Sequence, residues 1–167
     1  ITIRSFSNAH GITNLDIVAG SGTDSLAING DVTLSGTLDV SLNGDVTQSG
    51  SGSTLALGAT TTVNSGSGDV VLQSATNDFT GLVTLTGGTI LLHDVNDLLL
   101  GDVSGSSASV TTGDALDLIG TLNAGAGTVT IEVNADGTGA DGFTMQSGSS
   151  IVTTNNTPDA VSITVNT

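Results

Sequence analysis

Short runs in which apolar and polar side chains alternate recur along the whole chain. Leu26-Ala27-Ile28, Val32-Thr33-Leu34 and Leu38-Asp39-Val40-Ser41-Leu42 follow one another directly. Leu55-Ala56-Leu57, Val70-Val71-Leu72, Val83-Thr84-Leu85, Ile90-Leu91-Leu92 and Leu98-Leu99-Leu100 come next. Leu116-Asp117-Leu118, Val129-Thr130-Ile131-Glu132-Val133 and Val161-Ser162-Ile163-Thr164-Val165 complete the series. A period of two over three to five residues marks a half-buried strand, and the Gly, Asn, Asp and Ser between the runs supply turn chemistry. Sandwich strands recur about every 8–12 residues and pack on aromatic anchors, which this chain lacks. Three short strands in roughly 20 residues is the rhythm of a β-solenoid. The expected fold is therefore all-β: a right-handed parallel β-helix of about eight coils, three short strands per coil. At about 4.8 Å per coil the rod would be on the order of 40 Å long.

Composition supports this. Thr, Ser, Gly and Asn make 83 of 167 residues, a bias that can mean disorder, but 44 residues are Val, Ile or Leu, too many for a disordered chain. Val, Ile and Thr favour a pleated surface, and good helix formers are scarce. The whole of 1–167 reads as one solenoid, a segment of a longer chain or a subunit of a fibre, with 1–25 and 150–167 as less regular end regions. Gly-Asp-Val occurs at 30–32, 44–46, 68–70 and 101–103, and the uneven gaps argue against a strict short repeat. Asn29, Asn43, Asn64, Asn77, Asn96 and Asn123 fall in turns, where they either form the turn or stack into side-chain ladders.

The charge balance excludes several function classes. One Arg, no Lys and 16 acidic residues give a net charge of −15. Nucleic-acid binding needs several cations for phosphate, and so does docking on an anionic membrane. No apolar run of 18 residues exists, so no membrane insertion by a helix is expected. The chain starts at Ile1 without a signal-peptide pattern, which reads as a mature product or an excised piece. With no Cys there is neither a disulfide framework nor a thiolate metal site.

The segment Asn77-Asp78-Phe79-Thr80-Gly81-Leu82-Val83-Thr84-Leu85-Thr86-Gly87-Gly88, continuing through Asp94 and Leu98-Leu99-Leu100-Gly101 to Val103, resembles a coil phrase of filamentous-haemagglutinin-like bacterial surface proteins. That phrase is N-D-F-x-G-x-V-x-L-x-G…D-x-x-x-L-x-L-G. The pattern covers 77–103, and the style extends over 26–133. The resemblance implies a β-helix shaft exported by autotransporter or two-partner routes and used in adhesion, biofilm or fibre formation. It also implies structural roles for Asn77, Phe79, Val83, Leu85, Ile90, Leu92, Leu98 and Leu100.

Candidate chemistry is sparse. Asp94 and Asp97, with His93 alongside, and Asp114 and Asp117 have the spacing of paired carboxylates, but polysaccharide hydrolysis on this fold also wants cationic and aromatic grips. The only Arg is Arg4, and Trp and Tyr are absent. Asp at solvated turns is the expected reading, and the chain is not expected to be an enzyme. Gly20-Ser21-Gly22-Thr23-Asp24 and Gly137-Thr138-Gly139-Ala140-Asp141 fit the G-x-G-x-D core of the calcium nonapeptide, which works in tandem copies. Asp24 and Asp141 are accordingly the candidate calcium residues, although each copy stands alone. No cofactor is required, and diffuse low-affinity calcium could screen the acidic rod. His10 and His93 lack a second His nearby. Thr60-Thr62, Thr84-Thr86 and Thr128-Thr130 would form an ice-binding face only on regular coils.

The function expected is a non-catalytic structural component of an extracellular or cell-surface bacterial fibre or adhesin shaft. Its expected partners are itself, head-to-tail or laterally, and surface carbohydrate or a host or neighbour cell surface. The alternatives are a calcium-dependent adhesion module and, behind it, a polysaccharide-active β-helix enzyme.

Overall fold

The computed structural model describes residues 1–3, 6–7, 13–49 and 53–167. Arg4 and His10 lie outside the described residues. Every paired strand runs parallel to its partners, and no helix is present among the described residues. The fold is an all-β parallel solenoid.

Among the described residues three sheets form its walls, with the strands that follow. The first has eight strands: Thr2–Ile3, Leu26–Ile28, Val46–Gln48, Val70–Leu72, Thr89–Asp94, Ser107–Thr112, Val129–Val133 and Val161–Val165. The second has four: Phe6–Ser7, Val32–Leu34, Leu55–Leu57 and Asp78–Phe79. The third has nine, from Leu15–Val18 through Leu38–Ser41, Thr61–Asn64, Val83–Thr86 and Leu98–Ser104 to Leu116–Leu118, Thr121–Asn123, Phe143–Met145 and Ser150–Val152. The sheets are unequal, so a uniform coil of three strands does not describe the whole rod.

Alternation dictates what lies inside. In Val32–Leu34 and Leu55–Leu57 the outer two residues are buried and the middle one is not. Thr89–Asp94 buries Ile90, Leu92 and Asp94 and turns Thr89, Leu91 and His93 outward. Side chains stack in register from coil to coil. One inward column runs Leu26, Val46, Val70, Ile90, Ala108, Val129, Val161. Its sequence spacing varies from 18 to 32 residues while the pairing stays in step. Asn77, Phe79, Val83, Leu85, Ile90, Leu92, Leu98 and Leu100 are all buried at 2 % exposure or less.

The corners explain the irregular spacing of Gly-Asp-Val. Gly44-Asp45 and Gly68-Asp69 stack on successive coils, since Val46 pairs with Val70. A Cβ on Gly68 would collide with the backbone of Gly44, so the close approach requires glycine. Gly30-Asp31 stands instead at the entry to the second sheet, and Gly101-Asp102 lies inside the long strand Leu98–Ser104. The tripeptide marks three different places, two at turns and one within a strand, and only the interval from Val46 to Val70 is one coil.

Asn64 and Asn123 each accept the N–H two residues ahead, from Gly66 and Gly125, at 3.0 Å. Both glycines have φ near +60° (61° and 53°), the left-handed turn conformation. These two Asn form turns rather than a side-chain ladder.

Candidate functional site

Five of the acidic side chains share a job where one coil stacks on the next. Where the chain bends, a backbone N–H loses the carbonyl that a straight parallel ladder would offer, and an unpaired N–H is costly. Asp31 accepts the N–H of Thr54, Asp45 that of Asp69, and Asp69 that of Thr89, at 2.7–2.9 Å. Asp97 accepts from Ala115 and Asp102 from Thr121, at 2.8–3.0 Å. Asn14 does the same for Thr37. Each bond ties one coil to the next, 18 to 24 residues on. These acceptors staple the coil edges.

Two polar clusters are buried at the end of the second sheet. Asn77 is fully buried and pairs with Gln48 through reciprocal amide bonds of 2.7 and 2.9 Å. The Asn77 Oδ1 also accepts the N–H of Leu55 at 3.0 Å, and Gln48 accepts that of Ser74 at 3.2 Å. The composition of the turns did not disclose this pair, because its members lie 29 residues apart. The Asn77→Leu variant strands the Leu55 N–H and the Gln48 amide. Urea unfolding should show a loss of about 2–4 kcal/mol. Combining it with Gln48→Ala should cost less than the sum of the two single losses.

The second cluster is Asp94. The strand Asp78–Phe79 is the edge of the second sheet. Its outward N–H, on Phe79, has no further strand and donates to Asp94 Oδ2 at 3.3 Å, while Asn96 N–H donates to Oδ1 at 3.2 Å. The Asp94 side chain is fully buried. Burial pushes its carboxyl up from 3.8 to about 7, against the N–H donors of Asn96, Phe79 and Val95 and with help from the nearby Asp78 charge.

Strand alternation separates Asp94 from its neighbours in sequence. His93 faces outward while its neighbour Asp94 faces the core, and Asp97 holds the Ala115 N–H from an exposed position. In the outward column His93 stands in line with Thr111 and Glu132. Partial burial lowers the His93 pKa, and Glu132 opposes this. An open depression is lined by Thr80, Asp97, Leu98, Leu99, Ala115 and Asp117, with two carboxylates and no cation in its wall. Loss of solvent, together with the charges of Asp141, Asp136 and Asp97, raises the carboxyl of Asp114.

Asp24 and Asp141 are not brought together. Asp24 precedes the second strand of the first sheet, and Asp141 precedes Phe143–Met145, the edge strand of the third. Among the described residues no three His, Asp or Glu side chains converge as a metal ion requires. Thr62 and Thr84 stack on successive coils, but Thr130 lies in another sheet, so the Thr pairs form no common row.

One family model matches the chain, "Repeats of unknown function (DUF5649)", over residues 8–86. No curated protein and no solved structure matches it.

Proposed function

We propose that the chain is a non-catalytic structural segment of an extracellular or cell-surface bacterial fibre or adhesin shaft. The observation that carries this reading is the employment of the acidic residues. Asp31, Asp45, Asp69, Asp97 and Asp102 each hold the backbone of the next coil. A catalytic or ion-binding role would need those oxygens converging on a ligand instead. The match to a repeat family agrees with a shaft built by repetition.

In this reading the coil is right-handed, the near-universal sense of parallel crossovers, and about eight turns long, one for each of the eight strands of the first sheet. Other copies of the chain are its partners, and carbohydrate or a neighbouring cell surface is met by its walls. Calcium acts only by screening the −15 charge between rods.

Electron microscopy of the native protein, with its intact mass, tests this. The expected image is a thin rod of even width, unchanged by a calcium chelator. A compact particle would overturn the shaft. Attachment that chelation abolishes would favour the calcium-dependent module, and turnover of a polysaccharide would favour the enzyme.

A further inference from the structure

Two Asp-Gly dipeptides lie on the loop between Val129–Val133 and Phe143–Met145: Asp136-Gly137 and Asp141-Gly142. With no Cβ to hinder it, a glycine nitrogen can reach the side-chain carboxyl carbon of the residue before it. The two dipeptides share that chemistry, and the loop holds them very differently.

Asp136 is tied down. Its Oδ1 accepts the Thr138 N–H and its Oδ2 the Thr138 hydroxyl, both at 2.8 Å. The Gly137 N–H donates to the Asn134 carbonyl at 3.0 Å. Carboxyl and nitrogen are both engaged, and each must leave its partners before the two can meet.

Asp141 has none of these restraints. The Leu116 N–H donates to the Gly142 carbonyl at 3.0 Å, the first bond between the third sheet's Leu116–Leu118 and Phe143–Met145. Continued one step back, a parallel ladder would send the Gly142 N–H to the carbonyl of Asp114. That carbonyl is already taken, by the Asn134 N–H at 3.1 Å and the Thr112 hydroxyl at 2.8 Å. Among the described residues nothing accepts the Gly142 N–H, and nothing donates to the Asp141 carboxylate. The Asp141 Oδ2 sits where a Cβ on Gly139 would be, and a Cβ on Gly142 would meet no atom within 4 Å. Both reacting groups are therefore free to turn toward each other.

Charge pushes in the same direction. Asp141 and Asp136 both crowd the Asp114 carboxyl with negative charge. A neutral cyclic imide at either position removes one of those charges. Because Asp136 shares this repulsion, hydrogen bonding alone separates the two sites.

We propose that Asp141-Gly142 is a site of spontaneous isoaspartate formation and that Asp136-Gly137 is protected from it. The Gly142 nitrogen attacks the Asp141 Cγ. An N–C bond forms, a C–O bond of the carboxyl breaks, and water leaves with the amide proton. Water then adds to either carbonyl of the imide. One opening restores aspartate, and the other routes the main chain through the side-chain carboxyl carbon. No oxidant or cofactor takes part. The product carries an extra methylene in the main chain just ahead of Phe143–Met145.

Prolonged warming of the 167-residue chain, labelling by an isoaspartate-specific methyltransferase and peptide mapping test this. Mapping is needed because Asn29-Gly30 and Asn43-Gly44 give the same product by deamidation. Label at Asp141 should exceed label at Asp136 about tenfold or more, the cost of freeing a hydrogen-bonded carboxylate. Gly142→Ala, whose methyl enters open space, should remove most of the Asp141 label with the circular dichroism spectrum retained. Equal label at the two positions, or none at Asp141, overturns the proposal. Label at Asp141 that persists undiminished in Gly142→Ala overturns it too, since the Gly142 nitrogen would then not be the attacking group.

Discussion

Raising the pH from about 4 to about 8 should weaken the native fold, relative to Asp94→Asn, by on the order of 4 kcal/mol. The folded chain keeps the Asp94 proton up to about pH 7, and the reference value is 3.8. Between those values the folded state holds one more proton than the unfolded state, so stability falls as pH rises. The contribution is complete below about 3.8 and gone above about 7. Roughly three pH units at about 1.4 kcal/mol per unit give the magnitude. Urea midpoints of the native chain and of Asp94→Asn, taken across that range, isolate this carboxyl from general titration of the acidic surface. Parallel curves for the two proteins would sink the argument. The effect is large because Asp94 substitutes for a missing strand. It must stay beside the Phe79 and Asn96 N–H groups, out of water, whatever its charge.

Phe79→Ala should cost about 3–5 kcal/mol, read from the same urea unfolding. Phe79 is fully buried and ends the inward column Leu34, Leu57, Phe79 at the edge of the second sheet. Truncation leaves a cavity bounded by stacked coils whose backbones are fixed by two ladders each, so the site has little freedom to collapse. Phe79→Leu keeps most of the volume and should cost roughly 1–2 kcal/mol. A loss below about 1 kcal/mol for Phe79→Ala would show that the coils close over the gap.

Much of the fold was legible because the alternation carries it. Ile90, Leu92, Leu98 and Leu100 could be placed inside from period two alone, and they are buried. The same period, followed two residues beyond Leu92, puts Asp94 inside as well. Reading Asp94 with His93 and Asp97 as a carboxylate cluster followed sequence proximity, and a strand sends adjacent residues to opposite faces. The shrinkage of the second sheet was hidden, since the coil that drops it still has Leu98-Leu99-Leu100 as a strand-like run. The Gln48–Asn77 pair was hidden for another reason. Gln48 ends a strand, Asn77 lies in a turn, and only the stacking of successive coils brings them into contact. The sequence offered Asp24 and Asp141 through a local motif, whose chemistry depends on tandem copies that the chain lacks.

From Val129 to Val161 the chain runs 32 residues, against 18 from Ile90 to Ala108, yet both intervals return to the same column in step. Coil perimeter and ladder alignment are therefore independent variables in this molecule. Extra chain is absorbed at a corner, and the wall beyond it never feels the difference. A rod assembled this way has built-in permissive splice points. The stretches 134–142 and 153–160, between strands that already tolerate the longest excursion, are where a foreign loop or a whole recognition element could be accommodated while the rails on either side continue unbroken.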